Sequence, residues 1–408
     1  MKLDKYIFST FIAAAALALG SCSDFLDRSP QGQFTEDDNP NALVNGKIYN
    51  VYTMMRSYDI TAGTTALAIH CLRSEDEEKG SIASDGSDVA EMYDDFKYTA
   101  SNGLLGAYWG KNYAVIYQCN DILDAIAEKE TAGQTETEDI INKGEASFFR
   151  AYCYFELLQA YGDLIITRTP LDIDSPEMQK ARNPRAEVAD FIIDDLKEAA
   201  KLLPVDKAIS SSDEGRLSSE AALAFLSRVA LYEGTWEKFH NGGQNTERTK
   251  DLLNTAAQAA HDVMAGGAFE LFAPQELGTE AYKYLFILEN EKSNPASINK
   301  TGNKEYIFTR RHDPVINSIG FNITQGRLGN ALYVTRKMAN MYLQSNGLPI
   351  NPQTWNYTKV DDEYKNRDNR MNNQLMVPGQ TYWGTNGGRI DWSGDAAEIA
   401  NASHRNFI

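Results

Sequence analysis

The chain has 408 residues, with 57 Asp and Glu against 39 Lys and Arg and a formal net charge of -18. A body this acidic repels polyanions, which argues against nucleic acid as a partner and against adhesion to anionic lipid. Four cysteines with no CxxC pair exclude a disulfide framework, and the length is enough for more than one lobe.

Lys2 and Lys5 precede an apolar run over 8–19, which leads into Leu19-Gly20-Ser21-Cys22 and then into acidic Asp24-Phe25-Leu26-Asp27. The run is shorter than the ~20 residues a membrane-spanning helix needs, and its flanks are those of a cleaved secretory signal. Leu-Gly-Ser-Cys resembles a bacterial lipobox, so residues 1–21 are expected to be a signal peptide. Cys22 is then the lipidated first residue of a tether over 22–38. Removing 21 residues that carry a net +1 from 408 leaves 387 residues with a charge near -19. The expected contact with the membrane is through this anchor only, outside the cytoplasm.

Helical signals dominate 39–267. Asn39-Pro40 opens the first helix, with Val44, Ile48, Val51, Tyr52 and Met55 on one face. A Gly/Ser/Asp-rich stretch over 73–95, including Glu75-Asp76-Glu77-Glu78, reads as an exposed loop. Further helices are predicted over 109–129, over 139–161 with a stop at Gly162, and from Asn183-Pro184 to Pro204. Two more follow: one capped by Ser218 or Ser219, and one over 248–264 that stops at Gly266-Gly267. Aromatic knobs such as Phe148, Phe149, Tyr152 and Phe155 alternate with small Ala146 and Ala151. That is the style of tetratricopeptide-like helix hairpins stacked on a shared core. From 268 to 408 the chain turns irregular and rich in Asn and Gly. One helix is predicted there, from Thr335 to a stop at Gly347, and loops with short strands after it. The expected fold is mainly α: a tetratricopeptide-like scaffold with an appended loop-rich lobe.

Catalytic signatures are missing from the residues. There are five histidines and no HExxH, GxSxG, GxGxxG or GxxxxGK[ST]. No cofactor is expected. Asp172-Ile173-Asp174 and Asp361-Asp362-Glu363 offer hard oxygens but lack EF-hand spacing, so they do not support a structural calcium ion. Paired carboxylates of a glycosidase leave no local motif and stay open as an alternative. Trp109 reads as core. Tyrosine (21) outnumbers phenylalanine (17), which suits half-exposed packing and also surfaces that hold polar, ring-shaped ligands.

Seven segments in order resemble one family, the SusD/RagB-like lipoproteins of Bacteroidetes outer membranes. They are Cys22-Ser23-Asp24-Phe25-Leu26-Asp27; the helix from Tyr113 to Asn120-Asp121-Ile122-Leu123; and Gly144-Glu145-Ala146-Ser147-Phe148-Phe149-Arg150-Ala151-Tyr152 with Tyr161-Gly162-Asp163. Then come Phe191-Ile192-Ile193-Asp194-Asp195-Leu196 with Leu203-Pro204; Gly215-Arg216-Leu217; Lys304-Glu305-Tyr306-Ile307-Phe308; and Asn366-Arg367-Asp368-Asn369-Arg370-Met371. The resemblance implies a non-enzymatic surface lipoprotein. It would capture oligosaccharide, or in some members peptide, and pass it to a SusC-like TonB-dependent transporter. Arg150 and Glu145 are expected to cap helices or pair between them. Members usually continue into a further C-terminal helix, which implies that this chain, ending at Asn406-Phe407-Ile408, is incomplete there. By position in the family, the expected ligand-binding residues are Tyr93, Tyr98, Tyr282, Tyr284 and Trp383. The alternative is a helical scaffold that binds peptides or partner proteins.

Overall fold

A computed structural model describes residues 40–53, 77–78, 103–240, 246–287, 294–299, 303–309, 333–334 and 336–375. By packing, the chain divides into units Met1–Asn50 and Val51–Ile408; of the first, only the opening of helix α1 (Pro40–Thr53) is described. The second unit begins its helical series with α2 (Gly103–Ala132), α3 (Thr137–Tyr161), α4 (Arg185–Leu202), α5 (Ser219–His240) and α6 (Glu247–Gly266). Each packs against the next in chain order. Four residues join α2 to α3, which makes them antiparallel neighbours. The later helices are short: α7 (Ala281–Ile287), α8 (Arg336–Met341), α9 (Val360–Tyr364) and α10 (Asn369–Gln374). The fold is mainly α and tetratricopeptide-like, with an irregular lobe, as the sequence predicts.

Helix α3 is buried almost all round because three neighbours use it. Phe148, Tyr152 and Phe155 each meet Phe225 of α5 at ring-centroid distances of 5.5, 5.7 and 5.5 Å, and Phe155 also meets Tyr232 at 5.4 Å. The T-shaped contacts of Phe155 suit the ring quadrupole. Ala146 and Ala151 are fully buried, which fulfils their reading as small residues for close approach. Gly144 is closer still: a Cβ there would stand 2.9 Å from Leu203 Cγ and 3.2 Å from Leu202 Cβ.

Helix ends follow local chemistry. Gly162 stops α3 at φ +72°, a conformation that favours glycine, and its N–H reaches Leu158 O at 3.0 Å. The neighbouring Asp163 carboxylate accepts the Arg185 N–H at 2.8 Å and so caps α4 from across the loop. Asn183 therefore does not cap α4. Its backbone bridges Leu164, while its side chain accepts the Ile166 N–H and donates to Glu187. Ser218, not Ser219, caps α5 through the Ala221 N–H, and Thr246 caps α6.

The irregular lobe departs from expectation in detail. Glu77 and Glu78, read as part of an exposed loop, form a strand (β1, Glu77–Glu78) antiparallel to β2 (Tyr333–Val334), with Glu77 opposite Val334 and Glu78 opposite Tyr333. The helix expected to run to Gly347 stops at Met341. Its continuation is pulled into turns, where Gln344 bridges Arg367 and the Asp368 N–H reaches Leu343 O. Helices α9 and α10 lie where no helical period is visible, because five or six residues are too few to show one.

A polar tie joins the helical series from inside. The Arg150 guanidinium forks onto Asp195 of α4, with Nε to Oδ2 and Nη2 to Oδ1 both at 2.8 Å. Its third nitrogen, Nη1, donates to Asn120 Oδ1 of α2 at 2.8 Å. The Asn120 amide then donates to Thr167 O, Thr167 Oγ1 and Thr169 O at 3.1–3.3 Å. Burial alone would depress the guanidinium, but the Asp195 bonds and charge carry it above its ordinary value; Asp195 is pushed up by burial, with Arg150 pulling against it. The fork on an always-charged partner keeps the pair ionic. A second tie pairs fully buried Glu145 with Arg216, at 2.9 Å through Nε and Nη2, and takes the Tyr52 hydroxyl at 2.6 Å.

Gly144→Leu is expected to lower stability by about 1–3 kcal/mol through overpacking, read as a reduced denaturant midpoint. Arg150→Met is expected to cost about 3–5 kcal/mol by stranding a buried Asp195, and adding Asp195→Leu should recover a large part of that loss. A double variant as unstable as the sum of the two singles would show that the pair does not act as a unit.

Candidate functional site

Of the expected ligand residues, Tyr282 and Tyr284 lie in the described structure; Tyr93, Tyr98 and Trp383 lie outside it, as does Cys22. Both described tyrosines sit on α7 and rest partly buried on a small cluster of Phe272, Leu277, Ala281 and Leu285. Two residues apart on a helix is about 200° of rotation, so they face different sides and share no platform. Tyr284 lies under the Lys283 ammonium, 5.3 Å from its ring centre. Tyr282 packs edge-on against Phe286 at 5.3 Å and turns its hydroxyl toward α10.

On the Tyr282 side the structure assembles residues the sequence did not mark as ligand-binding. Gln374 Nε2 donates to the Tyr282 hydroxyl at 3.4 Å, and Gln374 Oε1 accepts the Tyr342 hydroxyl at 2.6 Å. The Asn369 and Asn373 amides both donate to Thr279 O, binding α10 to the turn before α7. Arg370, exposed beside them, forks onto Asp368, which also caps α10 through the Arg370 N–H. Phe286 is mostly exposed at the edge. Aromatic faces, two hydroxyls, a carboxamide and a guanidinium thus share one surface. Such a set can stack on a sugar's C–H face and hydrogen-bond its hydroxyls. Tyr342 falls inside the helix predicted from Thr335 to Gly347, and nothing local marks Gln374.

The apolar run Tyr306-Ile307-Phe308 supports this lobe rather than forming a strand. The Tyr306 hydroxyl donates to Leu285 O at 2.7 Å, Glu305 accepts the Phe272 N–H, and the Phe308 ring lies 6.2 Å from both Phe148 and Tyr52. Trp109, read as core, is half-buried at the edge of an aromatic cluster. Tyr113 and Tyr161 flank it at 4.8 and 5.0 Å, and Arg182 lies over its ring. It stops short of the core because α2 brings it level with Tyr161, the last residue of α3.

The described residues hold no activated nucleophile of the cysteine type. Burial pushes the Cys119 thiol up to about 12, and Cys153 well above its usual value, so both stay protonated. His261 is exposed beside Asp262, and His240 stacks on Trp236. Among the described residues no group of three or more His, Cys, Asp and Glu is placed to hold a metal ion. No described helix is long and apolar enough to cross a membrane.

Residues 24–231 match a family model described as SusD-like, "Starch-binding associating with outer membrane", and residues 287–406 match the SusD family model. A SusD-like protein of Bacteroides ovatus is 28% identical over 284 residues, which is 67% of this chain and 46% of the relative. SusD-like protein P2 of Formosa agariphila is 27% identical over 252 residues, 60% of this chain and 47% of the relative. The chain spans about half the length of these relatives. Among solved structures, a SusD-like protein of Bacteroides fragilis superposes with a TM-score of 0.60 at 22% identity, covering 86% of this chain and 63% of that one. A SusD-like carbohydrate binding protein of the same species gives 0.59 at 19% identity, covering 84% and 61%. These likenesses are of fold. The family models match both the helical part and the irregular lobe, in the order the seven sequence segments predict, and on that ground the chain belongs to the SusD/RagB family.

Proposed function

We propose that the protein is a lipid-anchored, non-catalytic receptor that captures oligosaccharides at the cell surface and hands them to a SusC-like TonB-dependent transporter. The observation that carries the reading is the pair of family matches over residues 24–231 and 287–406, the first described as starch-binding and outer-membrane-associated. The chemistry of the Tyr282 surface agrees with it. Tyr282, Tyr342 and Gln374 offer apolar faces with both donors and acceptors, which is what a polyhydroxylated ring requires. The lipobox at Cys22 supplies the anchor, since acyl chains bury at ~0.8 kcal/mol per CH₂. Tyr93, Tyr98 and Trp383 complete the proposed ligand set, and Tyr284, on the other side of α7, is its peripheral member.

Binding of the purified protein to a panel of oligosaccharides, with the supernatant assayed for shortened products, tests this reading. Retention of at least one glycan without product is expected. Tyr282→Ala should weaken that binding by about five- to thirtyfold, the equivalent of about 1–2 kcal/mol. Product release would replace the reading with a surface glycosidase, and silence on every glycan would favour the peptide-binding scaffold.

A further inference from the structure

A concave surface lies on the helical scaffold, and none of its lining residues belongs to α7 or α10. It is a groove of about 520 Å³ between the connection over 164–183 and the outer face of α4. That volume is within the ~300–1,000 Å³ typical of small-molecule sites. One wall is the extended segment Ile166, Thr167, Arg168 and Thr169. The other is Glu187, Asp190, Phe191 and Asp194 on successive turns of α4, and Glu177 and Lys180 close the mouth.

The walls are held before any ligand arrives. The ends of the connection are bridged by Leu164 and Asn183, with backbone bonds of 3.2 and 2.6 Å. The Ile166 N–H reaches Asn183 Oδ1 at 3.1 Å, and the Thr167 N–H reaches the Tyr154 hydroxyl at 2.8 Å. Asn120 takes the carbonyls of Thr167 and Thr169 from behind. Preorganised walls reduce the ordering cost of binding.

The lining selects a class of ligand. The Arg168 guanidinium lies over the Phe191 ring, 4.5 Å from its centre, so a cationic group backed by an aromatic ring lines the groove. Ile166 and Leu171 add apolar surface. Asp190 is engaged by Arg248 at 2.7 Å and Glu187 by Asn183 at 3.0 Å, and both keep further lone pairs for the groove. Thr169, Lys180 and Asp194 are exposed. Acceptors, donors and hydroxyls thus alternate around an apolar floor. An anion would meet four carboxylates, and a cation would meet Arg168 and Lys180. A neutral polyol meets neither penalty and can use every group.

We infer that this groove is a second saccharide site, separate from the Tyr282 surface, that takes a short stretch of the same neutral glycan and gives the receptor two footholds on one chain. The inference rests on the glycan-binding reading and extends it from one contact surface to two. Two footholds raise retention of long chains over short ones through effective concentration, with no new contact.

Thr169→Trp fills the groove from an exposed position whose backbone bond to Asn120 is unchanged, and Asp194→Ala removes one exposed acceptor. The probes are α-glucan, β-glucan, mannan and galactan oligosaccharides, read by hydrogen exchange and by equilibrium titration of the purified protein. With the probe that binds, slowed exchange is expected over 166–171 and 187–194 as well as on α7 and α10. Thr169→Trp should abolish the first protection, keep the second, and weaken binding of the longest oligosaccharide by about tenfold; Asp194→Ala should weaken it in the same direction by less. If a glycan binds and both variants match wild type with no protection over 166–171, the groove is not a site and the Tyr282 surface stands alone. If no probe binds wild type at any length, the glycan-binding reading falls and the groove assignment falls with it.

Discussion

One guanidinium sets the geometry of the helical series. Arg150 sits in the middle of α3 and spends its donors in two directions, forking onto Asp195 in α4 and reaching Asn120 in α2. Asn120 passes the constraint outward to Thr167 and Thr169. Lysine could not do this, because a point charge lacks the planar fork that fixes two partners at defined angles. A buried ion pair gives little net stability after desolvation. Its value here is register: helices packed only by Phe, Leu and Ala could slide, while a forked pair with an amide behind it has one fit. Glu145 with Arg216, and Arg185 with Glu233 at 2.7 Å, repeat the device further along the series.

That constraint links the scaffold to its loops. The connection between α3 and α4 is the wall of a groove because the Asn120 amide and the Tyr154 hydroxyl hold its backbone from inside. The irregular lobe is held in the same manner, through Glu305 on the Phe272 N–H and Tyr306 on Leu285 O. Rigid helices with loops pinned at chosen backbone groups can present aromatic and polar groups in fixed array.

The sequence displayed what is periodic or local. Helices α2 to α6 showed their apolar spacing, and Gly162, Ser218 and the Gly266-Gly267 pair marked ends where the structure has them. The family resemblance rested on residues that prove to be ties, including Asn120, Arg150, Asp163, Asp195 and Arg216. What stayed hidden depends on partners far apart in the chain. Asn183 looked like a helix cap because it precedes a proline at a helix start, yet Asp163, 22 residues before the Arg185 N–H it accepts, already serves α4. Tyr282 and Tyr284 looked equivalent in sequence, and helical rotation sends them to different sides. Gln374 joins Tyr282 only because α10 is anchored on Thr279 O, a contact across 94 residues from Asn373.

Amide hydrogen exchange in Asn120→Ala tests the central physical claim, that the buried tie holds the groove wall. The amides of Ile165, Ile166 and Thr167 should lose protection by about tenfold or more, the loss of about 1.4 kcal/mol of local stability, while α5 and α6 keep theirs. Unchanged protection at those three amides, or an even loss across α2 to α6, would contradict the account.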